Sequence, residues 1–215
     1  LTSCMDRSVS PAVKTDPDIE KRIGKLLAGM TLEEKVGQMT QLTIGVMMDN
    51  ERTHLIPELV DSVFGKYKVG SILNVIGNAS PSKEVYAEVI RELQEKSMEL
   101  IGIPCLYGLD QIHGASYIDG ATFFPQEINQ AATFDRNFAF EAGRVCAYET
   151  RAAMVPWTFA PVMDLGRNPL WPRMWESYGE DTYLNAEMGK ASVAGLQGDC
   201  PSDVDSLHIA ACLKH

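Results

Sequence analysis

Apolar runs alternate with amphipathic stretches along most of the chain. Four runs are apolar almost throughout, as expected of strands that are buried on both faces. They span residues 69–76, 103–109, 157–163 and 207–213. Stretches with apolar residues at helical spacing separate these runs. The alternation predicts an α/β domain with parallel strands.

Capping residues mark where the helices begin. Asp16 followed by Pro17 predicts the start of a first helix, which ends near Gly29. Thr31 and Glu34 form a capping-box pattern that predicts a second helix. Three longer helices are predicted over residues 81–100, 135–153 and 181–196. The apolar positions of the first helix fall on one side and are Ile19, Ile23, Leu26 and Leu27.

Polar residues follow the apolar runs at the points where the predicted strands end. Asp110 comes directly after one run, residues 164–173 after the next, and Lys214 and His215 after the last. Barrel enzymes assemble their sites from the ends of several strands. A doubly wound sheet of the Rossmann type would need a Gly-rich phosphate turn after its first strand, and the sequence has none. We therefore favour a TIM-like (β/α)8 barrel over a doubly wound sheet.

Length and charge limit the class of protein. At 215 residues, the chain is long enough for one sizeable domain but short for a complete large barrel. We therefore expect the N-terminal portion of a barrel, which is incomplete in this chain. The net charge of −10 and the lack of a basic cluster argue against nucleic acid as a partner. No apolar run approaches the ~20 residues that a membrane-spanning helix needs.

The first residues suggest a lipid anchor. Leu1, Thr2, Ser3 and Cys4 resemble a bacterial lipobox, after which the cysteine is lipidated. Residues 1–15 are then a lipobox remnant and a flexible polar tether, and residues 16–215 form the barrel domain. This predicts a periplasmic or outer-membrane lipoprotein of the bacterial cell envelope. The alternative is a chance match in a disordered terminus.

The other cysteines give no sign of a metal site. Cys105, Cys146, Cys200 and Cys212 are scattered and fit no zinc pattern. The apolar surroundings of Cys105 and Cys212 predict buried free thiols. We expect neither a metal nor another cofactor.

Residues 167–181, with the sequence RNPLWPRMWESYGED, combine features that rarely occur together. Two tryptophans and a tyrosine lie among arginines and acidic residues, and two prolines and a glycine break any regular period. Aromatic faces beside arginine and carboxylate groups suit a polyhydroxylated ligand, whose C–H faces and hydroxyls they can both contact. The alternative is a cluster of ion pairs that braces a loop.

Four motifs together resemble glycoside hydrolase family 3. They are GLDQIHG at residues 108–114, ATFFP at residues 121–125, the 167–181 segment, and Lys214 with His215, and they occur in the family's order. The resemblance covers roughly residues 16–215. It implies a barrel enzyme related to β-glucosidases and β-xylosidases. One departure is that the family's usual RDPRWGR has Asn168, Leu170 and Pro172 at its variable positions here.

The resemblance also implies roles for individual residues. Residues expected to bind the hydroxyls of the terminal, non-reducing sugar are Asp110, Arg173, Lys214 and His215. Residues expected to support them from behind are His113, Arg167 and Glu176. Trp175 is a candidate wall of a neighbouring subsite, although a core position is equally open. These carboxylate, guanidinium, ammonium and imidazole groups are suitable acceptors and donors for hydroxyls.

The catalytic pair is expected elsewhere. Retaining hydrolysis uses two carboxylates about 5–5.5 Å apart, one as nucleophile and one as acid/base. In the family both lie beyond the Lys-His pair, so we expect the remainder of the same polypeptide to supply them and to complete the barrel. This chain alone is expected to be inactive. Asp110, at a strand end near a histidine, could be taken for the nucleophile, but the resemblance assigns it to substrate binding.

Two other classes of function compete with a hydrolase. The first is a non-catalytic, lipid-anchored protein that binds sugars. The second is an unrelated barrel enzyme, such as an aldolase that uses Lys214 to form a Schiff base. Aldolase chemistry does not need the tryptophan- and arginine-rich segment. A glycoside or oligosaccharide is therefore the predicted substrate.

Overall fold

Four short parallel strands form the centre of the computed structural model, which describes residues 15–198 and 204–215. The strands are β1 (Gln41–Thr43), β2 (Ser71–Leu73), β3 (Leu106–Leu109) and β4 (Trp157–Thr158), and they lie side by side in chain order. Parallel bridges from Trp157 to Ala210 and from Val162 to Lys214 continue the sheet beyond β4. This order is that of a TIM-barrel-like α/β fold and confirms the predicted class.

Seven α-helices lie along the described part of the chain. They are α1 (Pro17–Gly29), α2 (Leu32–Gln38), α3 (Pro57–Asp61), α4 (Lys83–Leu100), α5 (Glu127–Ala131), α6 (Arg136–Ala152) and α7 (Thr182–Gln197). A π-helical turn, Ser62–Lys66, continues α3, and two short 3-10 helices cover Ile44–Met47 and Met174–Glu176. The longer helices separate consecutive strands, as parallel pairing requires.

The predicted helix starts are confirmed by their caps. The Asp16 carboxylate accepts hydrogen bonds from the backbone N–H groups of Asp18 and Ile19. The capping box of α2 is complete, because the Thr31 hydroxyl accepts from the Glu34 N–H and the Glu34 carboxylate accepts from the Thr31 N–H. Asp135 and Asp181 cap α6 and α7 in the same way.

The strands are shorter than the apolar runs that predicted them. Residues 69–76 contain only the three ladder residues of β2, although Val69 and Ile76 are buried. Residues 157–163 contain the two residues of β4, and residues 207–213 form isolated bridges rather than a strand. An apolar run therefore predicted burial correctly but overestimated the length of backbone pairing.

Most of the core lies between the sheet and the helices that precede β3. Ile72, Tyr107 and Leu109 of the strands pack with buried side chains that include Phe64 and Ile90. A smaller cluster contains Tyr178 and Met188 and lies against α7. The four apolar side chains that the pattern placed on one side of α1 are each about half exposed in the described part of the chain.

The thiols differ in burial. Cys105 and Cys146 are buried, and burial raises the pKa of each thiol to about 12. The prediction was wrong for Cys212, which is only partly buried because its backbone lies at the outer side of the sheet extension. Cys4 and Cys200 lie outside the described residues. No helix within the described ranges is long and apolar enough to span a bilayer.

Candidate functional site

The carboxyl ends of neighbouring strands bring three polar segments together. Asp110 follows the last residue of β3, Asp164 follows the extended segment after β4, and Lys214 pairs with that segment through Val162. In parallel sheets these ends lie at one edge, which is where barrel enzymes carry their sites. The fold thus positions Asp110, Lys214 and His215 as the sequence predicted.

Lys214 and Asp110 form an ion pair between residues 104 positions apart in the chain. The Lys214 ammonium donates a hydrogen bond to Oδ1 of Asp110. The lysine side chain is only 13% exposed, whereas that of Asp110 is 52% exposed. The ammonium is therefore held in place, while the carboxylate faces the open edge where a ligand would enter.

His215 is paired with a residue that the sequence analysis missed. Its Nδ1 lies 2.6 Å from Oδ2 of Asp164. A carboxylate accepts at this contact, so Nδ1 carries the proton and Nε2 is directed elsewhere. The Asn185 side chain of α7 donates a hydrogen bond to the backbone carbonyl of Asp164 at 2.9 Å and so holds the backbone of this residue in place. The strand-end pattern included Asp164 in the polar segment 164–173, but this residue was not selected as a candidate for the site.

Arg173 is held by a bidentate ion pair with Glu176. Its Nε lies 3.0 Å from both carboxylate oxygens, and its Nη2 lies 2.6 Å from Oε2. Glu176 raises the pKa of Arg173, and the negative charges of Asp110 and Asp164 add to the effect. Arg173 therefore shares one electrostatic environment with both strand-end aspartates. Glu176 has the supporting contact that was predicted for it.

Trp175 lies on the same loop and is 45% exposed, which rules out a core position. Its indole N–H donates to the Pro172 carbonyl at 2.9 Å. One edge of the ring is thereby fixed while much of its surface remains open to solvent. The geometry is compatible with the wall of a subsite.

His113 braces the loop at residues 123–126. Its Nδ1 lies 3.2 Å from the Phe124 carbonyl oxygen, and its Nε2 lies 2.7 Å from Nε2 of Gln126. The ring also stacks on Phe123 at a centroid distance of 5.0 Å. Both ring nitrogens are thus engaged by Phe124 and Gln126, and the support of the binding residues that was expected of His113 stays a prediction.

Arg167 does not join the network that surrounds Arg173. It is exposed, and its guanidinium makes no hydrogen bond or ion pair within the ranges 15–198 and 204–215. The sequence predicted that Arg167 supports the site from behind, but no contact of its guanidinium within these ranges does so.

Glu127 is a second residue that the sequence analysis missed. This side chain of α5 is buried, and its Oε1 accepts a hydrogen bond from the Val162 backbone N–H at 3.1 Å. Burial raises its pKa well above the usual value, and Glu176 and Asp164 add to that rise, whereas the hydrogen bond from the Val162 N–H and the charge of Lys214 oppose it. Glu127 lies on a helix rather than at a strand end, so no pattern in the sequence marked it.

The match to known proteins decides the family. The family described as "Glycosyl hydrolase family 3 N terminal domain" matches residues 31–215. The chain belongs to glycoside hydrolase family 3.

Relatives and solved structures agree with this family 3 assignment. The chain is 38% identical over 186 residues to the lysosomal beta glucosidase of Dictyostelium discoideum, covering 82% of this chain and 22% of that protein. It is 33% identical over 192 residues to the periplasmic beta-glucosidase of Salmonella typhimurium, covering 88% and 22%. The fold is similar to that of the exo-1,3/1,4-beta-glucanase of a Pseudoalteromonas species, with a TM-score of 0.82, 34% identity, and coverage of 94% and 25%.

The family 3 chain spans about a quarter or less of the length of these relatives. It supplies the edge of the sheet at which the carboxyl ends of the strands bring Asp110, Asp164 and Lys214 together. Carboxylates there alternate with cationic groups, and several of them are half exposed. Such an array can accept hydrogen bonds from hydroxyls at one position and donate to them at the next.

Proposed function

We propose that the protein is a retaining glycoside hydrolase that releases terminal, non-reducing, β-linked glucosyl or related residues from oligosaccharides. The observation that carries this proposal is the convergence of Asp110, Arg173, Lys214 and His215 at one edge of the sheet. These residues form most of the glycone subsite, which holds the terminal sugar.

The chemistry of each side chain supports its role in this subsite. The exposed carboxylate of Asp110 accepts hydrogen bonds from adjacent sugar hydroxyls, and the neighbouring ammonium of Lys214 donates to them. The guanidinium of Arg173 keeps one orientation because it is bound to the carboxylate of Glu176. With Nδ1 engaged by Asp164, His215 presents only Nε2 to a ligand. Trp175 offers an apolar face beside this polar set.

The nucleophile and the acid/base belong, in this proposal, to polypeptide beyond His215, which also completes the barrel. Retaining hydrolysis requires a carboxylate that attacks the sugar and a second that exchanges a proton. The three carboxylates at this edge are instead engaged by basic side chains. These pairs are Asp110 with Lys214, Asp164 with His215, and Glu176 with Arg173. Their engagement favours binding and bracing roles over nucleophilic attack.

Hydrolysis of simple glycosides tests the proposal. The native full-length protein should hydrolyse aryl β-glucosides or β-xylosides, and the first sugar released should keep its anomeric configuration by NMR. Residues 1–215 produced alone should show no turnover under the same conditions. An inverted product would contradict the retaining mechanism. Sugar binding by the native protein without any turnover would instead support the non-catalytic, lipid-anchored alternative.

We further propose that the protein is a lipoprotein of the bacterial envelope. In this account Cys4 carries the lipid, and residues 1–15 tether residues 16–215 to the membrane. The lipobox-like start of the sequence and its polar continuation support the proposal. The Salmonella relative is named as a periplasmic enzyme, which fits an envelope location.

A further inference from the structure

A carboxyl group lies buried behind the site, where an apolar side chain would be expected. Glu127 is 3% exposed and sits on α5 rather than on a strand. Burying a carboxyl without full hydrogen bonding is costly, and its Oε2 has no hydrogen-bond partner within the described ranges. The carboxyl group therefore needs a reason to be in this position.

The backbone around Val162 supplies that reason. On one side of this extended segment, the Lys214 N–H donates to the Pro161 carbonyl at 3.3 Å, and the Met163 N–H donates to the Lys214 carbonyl at 2.6 Å. In a parallel ladder the intervening residue directs its own N–H to the opposite side. The N–H of Val162 thus faces away from Lys214.

No strand is available on that opposite side within the part of the chain that the structure describes. β3 ends at Leu109, whose carbonyl accepts from the Phe159 N–H at 2.9 Å and makes no bond to Val162. Val162 is fully buried, so an N–H without a partner would be an orphaned donor. The Oε1 atom of Glu127 accepts from it at 3.1 Å and takes the place of the missing strand.

We propose that Glu127 is a positioning residue for the glycone subsite: it fixes residues 161–163 and, through them, the backbone of Lys214. The inference rests on the proposed hydrolase function. The same segment leads directly into Asp164, the partner of His215. The buried Glu127 side chain thereby controls the placement of the Lys214–Asp110 pair and the His215–Asp164 pair. Burial raises the pKa of Glu127, which shows that its placement costs free energy.

Variants of Glu127 in the native full-length protein test the proposal. Glu127→Leu removes the acceptor and should lower kcat/KM for an aryl β-glycoside about 5- to 100-fold, mainly through a higher KM. Glu127→Gln keeps an acceptor at the same position and should restore near-native kinetics. Glu187→Gln, which alters an acid paired with Arg136 and Lys190 away from the site, is the matched control and should leave kcat/KM unchanged.

A double-mutant cycle separates positioning from general stability. Because part of the effect passes through Lys214, Glu127→Leu should raise KM by a clearly smaller factor in a Lys214→Met background than in the wild type. Independent, multiplying losses in the double variant would overturn the proposal, as would a native KM in folded Glu127→Leu. If the Leu variant fails to fold, the KM of Glu127→Asp is measured instead. The shorter side chain moves the acceptor away from the Val162 N–H, so KM should rise. Turnover absent from the native protein itself would instead remove the hydrolase function on which the inference rests.

Discussion

At the scale of the residue, each acidic group at the site edge is held by a different basic side chain. The pairs are Asp110–Lys214, Asp164–His215 and Glu176–Arg173. Several of these side chains are partly exposed, so water screens the pairs and they contribute little to global stability. Their effect is to fix the positions of donors and acceptors before a ligand arrives.

The bidentate geometry of Arg173 leads to a first prediction. Arg173→Lys keeps the charge but cannot reproduce the two-atom contact with Glu176, at 3.0 Å from Nε and 2.6 Å from Nη2. The donor would then be misplaced, and kcat/KM for an aryl β-glycoside should fall roughly 10-fold or more. Steady-state kinetics on the native full-length protein measure this.

The chain provides a matched control for that substitution. Arg144 makes a similar contact with Glu141 on α6, at 2.9 Å from Nε and 2.7 Å from Nη2, but lies outside the site. Arg144→Lys should leave kcat/KM unchanged. Equal losses in the two variants would show that the effect of Arg173→Lys is not specific to the site.

The sequence pattern indicated the site residues at strand ends but not a buried residue on a helix. Asp110, Lys214 and His215 were predictable because each follows an apolar run. Glu127 was not, because its role depends on the point at which β3 stops pairing and leaves Val162 without a partner. The contacts of His113 with Phe124 and Gln126 were not predictable either, because the GLDQIHG motif does not determine which loop a side chain contacts.

At the scale of the element, local signals predicted helices better than strands. Caps such as Asp16 and Thr31 act within three residues, so the sequence alone fixes the helix starts. The length of a strand depends on its neighbours, and Val69 and Ile76 are buried without joining the ladder of β2. The short strand β1 and the helix α3 were missed, since their few residues carry no clear period.

The burial of Glu127 on α5 leads to a prediction about pH. Desolvation, together with the charges of Glu176 and Asp164, raises the pKa of Glu127 in the folded protein well above the usual 4.5, although the Val162 N–H and Lys214 favour the charged form. Above pH 4.5 the unfolded chain releases this proton and the folded protein retains it. The contribution of Glu127 to the free energy of unfolding therefore falls as pH rises from that value towards the folded pKa.

Denaturation of the native protein and Glu127→Gln at a series of pH values measures this contribution. Relative to the wild type, the Gln variant should gain stability as pH rises above 4.5, since it has no carboxyl to titrate. Below that pH, the difference between the two proteins should be constant. A difference that does not vary with pH across the whole range would show that the carboxyl titrates normally in the folded protein.

At the scale of the whole molecule, the order of the strands was the most predictable feature. Apolar runs separated by helices imply parallel neighbours in chain order, and β1 to β4 lie in that order. The motifs at their carboxyl ends indicate the family from the sequence alone, because their residue types and order are specific in combination. Membership of glycoside hydrolase family 3 is supported by the match over residues 31–215.

The proposed anchor gives a prediction for the intact protein. Two or more acyl chains on Cys4 would bury enough methylene groups, at ~0.8 kcal/mol each, for stable membrane attachment. The protein expressed in a bacterial host should partition into detergent, and Cys4→Ala should move it to the aqueous phase. If both proteins stay in the aqueous phase, Cys4 is not lipidated and the resemblance to a lipobox is accidental.

A comparison of two aspartate substitutions, one at the sheet edge and one away from it, tests the proposed glycone subsite. Asp110→Asn and Asp205→Asn each remove a carboxylate that is about half exposed and is paired with a basic side chain. Asp110 pairs with Lys214 at the site, whereas Asp205 pairs with His208, which precedes the bridged segment 210–214. In the native full-length protein, Asp110→Asn should lower kcat/KM for an aryl β-glycoside roughly 10- to 150-fold, whereas Asp205→Asn should not. Native activity in a folded Asp110→Asn variant would contradict the account.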